Sequence, residues 1–168
     1  ASPARVEFLD RIADPHQPTS QFIPLVGTYR AQEILTLQTT ESLIQAANSI
    51  TSGIVSDREV DLTVITGDVT DNAQSNELNW YLDLLHGRSI TPYKDEVPVA
   101  AKDPSYWDPE AKGENYPIDL YGFPRLPGLR KALETPFEAS GLKHKWLSVH
   151  GNHDALLQGT APVTAEIE

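Results

Sequence analysis

The spacing of apolar positions changes several times along the chain, and each change predicts an element. From Val6 to Ala13, the residues Val6, Leu9 and Ile12 recur every three positions, which predicts a short amphipathic helix ended by Pro15 and Pro18. The Pro-free segment from Tyr29 to Ile54 is rich in helix formers, with Leu43, Ala47, Ile50 and Ile54 marking the face expected to enter the core. Asp61 to Thr66 (DLTVIT) is short, apolar and β-branched, as expected of a buried parallel strand, and Gly67 ends it. A second helix is expected from Asp71, whose side chain can cap it with Gln74 at capping-box spacing, through Leu78, Tyr81, Leu82 and Leu85 to Gly87. Gly128 to Ala139 reads as a further helix, and Lys145 to His150 (KWLSVH) as a second strand stopped by Gly151.

Between these elements, the stretch from Arg88 to Pro127 holds seven of the thirteen prolines, together with Tyr93, Tyr106, Trp107, Tyr116, Tyr121 and Phe123. Linkers are poor in aromatics, so this stretch is expected to be an ordered but irregular insertion. The order helix, strand, helix, insertion, helix, strand implies an α/β fold with parallel pairing.

Composition narrows the chemistry. Thirteen basic and twenty-four acidic side chains give a formal charge of −11, which disfavours nucleic acid binding through bulk charge. No apolar run approaches the roughly 20 residues of a membrane-spanning helix. With no cysteine, any metal must rest on His, Asp, Glu or Asn. The chain contains no methionine and opens on Ala1-Ser2-Pro3, which suggests a portion of a longer protein. It has no phosphate-binding GxxxxGK[ST] loop, no G-x-S-x-G elbow and no H-E-x-x-H helix.

Both predicted strands close on polar clusters: Gly67-Asp68-Val69-Thr70-Asp71-Asn72 and Gly151-Asn152-His153-Asp154. The carboxyl ends of parallel strands share one sheet edge, where ligands bind, so the two clusters can face one cavity. Asp68 offers an oxygen ligand able to bridge two ions, Asn152 a neutral amide ligand, and His153 a proton donor or electrophile. Oxygen donors without thiolates suit manganese, iron or zinc in a hydrolytic two-metal centre.

GDVTDN and GNHD resemble the second and third signature blocks, GDxxD and GNH[ED], of the calcineurin-like metallophosphoesterases. SPARVEFLDR, NELNWYLDLL and YGFPRLPGL are similar to a bacterial subgroup of that superfamily, and this wider likeness covers nearly the whole chain. The resemblance implies that residues 1–168 form part of a four-layer αββα sandwich carrying residues 87–127 as an insertion. It implies hydrolysis of a phosphate monoester or diester, on a phosphorylated small molecule or phosphodiester substrate, with two divalent ions of manganese, iron or zinc. Asp68 would bridge the ions, Asn152 would bind the second, His153 would act near the leaving group, and Asp71 would support the site from behind.

The family also uses an Asp-x-His block upstream, and a lone His and a Gly-His-x-His block downstream. No histidine follows His153, and Asp14-Pro15-His16 matches the first block by letter only, in surroundings that read as a polar turn punctuated by proline. The chain alone is therefore expected to be inactive and to bind ions weakly or not at all. The alternative on the same fold is a non-catalytic cation-binding or interaction domain. Bland roles are expected for Trp80, Trp146 and His150 as packing residues, for His86 and His144 at helix ends, and for Asp57, Glu59 and Asp61 as a solvated turn.

Overall fold

The computed structural model describes residues 31–71, 73–92 and 107–159, so the predicted helix from Val6 to Ala13 and the Asp14-Pro15-His16 turn lie outside the described residues. After a 3-10 turn at Ala31–Leu35, the elements in order are α1 (Thr36–Ser49), β1 (Thr63–Ile65), α2 (Ser75–His86), β2 (Ser89–Ile90), α3 (Tyr116–Tyr121), α4 (Leu129–Glu134), β3 (Phe137–Glu138) and β4 (Trp146–Ser148). They fall into two compact units, one of residues 1–36 and 91–135, the other of residues 37–90 and 136–168. Both polar clusters belong to the second.

The second unit combines helices with two small sheets. β1 and β4 pair in parallel, with Thr63 opposite Trp146, Val64 opposite Leu147 and Ile65 opposite Ser148. The Thr63 N–H donates to the Lys145 carbonyl at 2.8 Å and the Val149 N–H to the Ile65 carbonyl at 3.0 Å, extending the ladder at both ends. β2 and β3 form a separate antiparallel pair. Ile44, Leu84, Leu85, Ile90 and Ala139 make the core, and Ile65, Trp80, Tyr81 and Trp146 pack against it. Trp80 and Trp146 thus pack as expected, whereas His150 is exposed.

Side chains alternate across the parallel pair, so Ile65 and Trp146 face the core while Val64 and Leu147 lie on the opposite face, 56% and 59% exposed. The expectation of a strand buried on both faces is corrected, because among the described residues the helices of this unit cover one side only.

The buried face of α1 also differs from the predicted one. Leu43 and Ile50 are exposed, and Ile54 lies beyond the helix and is fully exposed, whereas Glu41 and Ile44 are buried. The inward stripe runs Leu37, Glu41, Ile44 and Asn48, a helical spacing that hydrophobicity alone hides because two members are polar. A buried carboxylate is tolerated only with partners. Glu41 has them in the Ser140 N–H, at 3.1 Å from Oε1 and 3.2 Å from Oε2, and the Ser140 hydroxyl. One turn further on, the Asn48 amide donates to the Gly141 carbonyl at 2.7 Å and accepts from the Lys143 N–H at 2.8 Å.

Helix α2 ends as predicted at Gly87, which takes φ 67°. Its start differs. The N-cap is Gln74, whose side chain makes no capping bond, and Asp71 is engaged elsewhere. His86 closes α2 with its ring edge-on to Trp146 at 5.7 Å, but His144 lies in the turn before β4, 3.4 Å from Thr63 Oγ1, rather than at a helix end. Asp57, Glu59 and Asp61 are exposed, as expected of a solvated turn.

In the first unit, residues 107–127 are irregular around the six-residue α3. Trp107 is buried, donates from Nε1 to the Pro124 carbonyl at 3.1 Å and meets Phe123 edge-on at 5.2 Å. The helix expected from Gly128 to Ala139 is shorter, since α4 stops at Glu134 and the chain turns into β3. Among the described residues no helix is long and apolar enough to cross a membrane.

Candidate metal centre

The loop after β1 and the loop after β4 meet backbone to backbone. Gly67 has φ 97°, and a Cβ placed on it would lie 2.3 Å from the Gly151 nitrogen. A Cβ on Gly151 would lie 2.3 Å from Asp68 Oδ1 and 2.4 Å from the Asp68 nitrogen. Glycine at both positions is what lets the strand ends approach. Immediately after Gly67, Asp68 takes φ 56°, a left-handed conformation that costs an L-residue about 1–2 kcal/mol. Such strain persists where surrounding contacts over-determine it.

Those contacts are visible. The His153 N–H donates to Asp68 Oδ1 at 3.0 Å, tying the second loop to the first carboxylate. The Asp154 carboxylate gathers five donors. Its Oδ1 accepts from the N–H groups of Val69 at 2.8 Å and Thr70 at 2.7 Å and from the Thr70 hydroxyl at 3.1 Å. Its Oδ2 accepts from the N–H groups of Asp68 at 2.9 Å and Gly151 at 2.8 Å. Burial pushes the Asp154 carboxyl upward, but the donors from Gly151, Thr70 and Asp68 outweigh it and hold the group below the ordinary carboxylate value. Nearby, burial holds the Tyr81 phenol above its usual range; the Ser148 hydroxyl works against this and the Asp154 charge adds to it.

Asp71 faces the same junction. Its N–H donates to Glu77 Oε2 at 2.6 Å, and its Oδ1 lies 3.3 Å from His153 Nδ1. A carboxylate oxygen accepts hydrogen bonds, so this pairing favours the Nδ1–H tautomer and does not engage Nε2. The imidazole keeps 40% of its side-chain surface exposed and the Asp71 side chain 20%.

The structure thus brings Asp68, Asp71 and His153 together, with Asn152 between Gly151 and His153 on an exposed part of the loop. Asn72 lies outside the described residues. Asp68 is exposed, and its Oδ2 makes no hydrogen bond among the described residues, so a hard carboxylate oxygen remains for a cation. Asp68 thus offers one oxygen donor, part of a divalent-ion centre and not a whole one. Among the described residues no group of three or more His, Cys, Asp or Glu side chains is placed to hold an ion.

Asp154 and Glu77 had no role assigned from the sequence. Asp154 sits three residues after Gly151, close enough to fold back onto its own loop, and Glu77 lies in the acidic first turn of α2. No protein-family model matches the chain, no curated protein matches it, and no solved structure matches it.

Proposed function

We propose that this chain contributes part of the active site of a calcineurin-like metallophosphoesterase that hydrolyses a phosphate monoester or diester. The observation that carries the proposal is the junction of GDVTDN and GNHD at the carboxyl ends of one parallel strand pair, with the His153 N–H 3.0 Å from Asp68 Oδ1 and the His153 ring 3.3 Å from Asp71. Two divalent ions of manganese, iron or zinc, when bound, supply Lewis acidity toward the phosphoryl oxygens and lower the pKa of water. Asp68 would hold both through its carboxylate and Asn152 one through its amide oxygen, with further donors supplied by residues outside these two loops. In its doubly protonated form His153 would donate the Nε2 proton to the departing alkoxide, leaving the Nδ1–H tautomer that the Asp71 carboxylate holds in place.

For the fold, we propose the αββα sandwich. Its support is a parallel pair with helices on one face and the apolar Leu62, Val64, Leu147 and Val149 exposed on the other, as in a sheet that packs against a second sheet.

The test is hydrolysis of p-nitrophenyl phosphate and bis(p-nitrophenyl) phosphate by the intact protein with added manganese. Manganese-dependent turnover that falls about 10²–10⁴-fold in His153→Ala supports the proposal. Manganese binding without turnover would favour a non-catalytic cation-binding domain instead.

A further inference from the structure

We propose that Asp154 is a positioning residue: a built-in anion, held in a nest of backbone N–H groups, that locks the Asp68 loop to the Gly151-Asn152 loop and that only a carboxylate can fill. Four backbone N–H groups and one hydroxyl converge on this side chain within 2.7–3.1 Å, drawn from both loops. Backbone nests of this kind are anion sites. Five donors occupy about all of the lone-pair capacity of a carboxylate, so Asp154 has none left for a cation and acts through its neighbours.

The two oxygens divide the work. Oδ1 gathers Val69 and Thr70 into a tight turn, while Oδ2 alone bridges the loops, accepting from Asp68 on one side and Gly151 on the other. Every contact is a donor. An asparagine side chain, whichever way its amide is turned, therefore presents an NH2 to at least two N–H groups within 2.9 Å. The isosteric change is not conservative here, and it opens the bridge or the turn according to the orientation adopted.

The clamp stands on geometry alone, whereas its effect on ion binding rests on the phosphoesterase reading. Amide hydrogen exchange is measured for residues 68–70 and 151 in the wild type, Asp154→Asn and Asp154→Ala, with Leu84 and Leu85 of the core as internal references. Loop protection is expected to fall about 10–100-fold in both variants while the references hold. Added formate is expected to restore protection in Asp154→Ala, where it can occupy the vacated nest, and not in Asp154→Asn. Calorimetric titration of the intact protein with manganese should show affinity reduced about 10–100-fold in Asp154→Asn.

Unchanged loop protection in Asp154→Asn overturns the clamp. If both variants unfold throughout and formate rescues neither, Asp154 is a general structural residue and the proposal also fails. Loosened loops with unchanged manganese affinity overturn the positioning role. A wild type that binds no manganese removes the phosphoesterase reading and leaves the clamp to be decided by exchange and formate rescue.

Discussion

Replacing Gly151 by alanine tests whether the two loops are held in contact. The new Cβ would lie 2.4 Å from the Asp68 nitrogen, where ordinary contact begins at 3.4 Å, so the backbones must separate by about 1 Å. No flexible side-chain tip can yield, because the nearest atoms are a backbone nitrogen and a short carboxylate already bonded to His153. Overpacking of this kind costs about 1–3 kcal/mol. Separation also stretches the bonds from Gly151 and Asp68 to the Asp154 carboxylate, and hydrogen bonds to charged groups contribute about 1.5–3 kcal/mol each. With those bonds weakened and not lost, the combined loss is about 3 kcal/mol, a large part of a stability of about 5–15 kcal/mol. For a chain of this size it lowers Tm by about 6–12 °C. Gly67→Ala should be worse, since it meets the Gly151 nitrogen at 2.3 Å and must also hold φ 97°. Gly113→Ala is the control, with nothing within 4 Å of its Cβ. Thermal melting followed by circular dichroism ranks the three. A Gly151→Ala protein that melts with the Gly113→Ala control would refute the tight junction.

Four further outcomes are expected. The Asp154 carboxyl sits below its ordinary value of 3.8 in the folded protein, so the unfolded chain binds the proton more readily; its stabilising contribution is present above that value and lost as pH falls through the folded one. Urea unfolding should therefore separate wild type from Asp154→Ala clearly near about pH 6 and only weakly in strong acid. Glu41→Ala should destabilise by about 1.5–3 kcal/mol in urea by removing the charged acceptor of the Ser140 donors, more than Leu43→Ala on the exposed face of α1. Asp71→Asn should lower hydrolysis by the intact protein and reshape its pH profile while leaving manganese affinity near that of the wild type, because the changed group touches His153. Val64→Thr and Leu147→Gln should stay within about 0.5 kcal/mol of the wild type in this chain, against about 2–5 kcal/mol for Leu84→Ala in the core.

Much of the scaffold was legible in sequence. DLTVIT and KWLSVH announce strands through β-branched and apolar runs, Gly87 announces the end of α2 through its left-handed cap, and both polar clusters follow strands as their glycines suggested. These signals are local, written in residues within a few positions of one another. What the sequence concealed depends on distant partners. Glu41 and Asn48 look like solvent-facing residues until Ser140, Gly141 and Lys143 come within reach, and the buried stripe of α1 includes them with Leu37 and Ile44 while Leu43 stays outside. Asp71 has the spacing of a helix cap, yet Glu77 takes its N–H and His153 approaches its carboxylate. In the sequence Asp154 is the last residue of GNHD, with no role of its own; the tertiary structure alone makes it the point where two loops converge, because five donors from two segments close together only after β1 and β4 have paired. Hydrophobic period and turn chemistry determine where elements form, whereas the role of a polar side chain is decided by which donors the fold delivers to it.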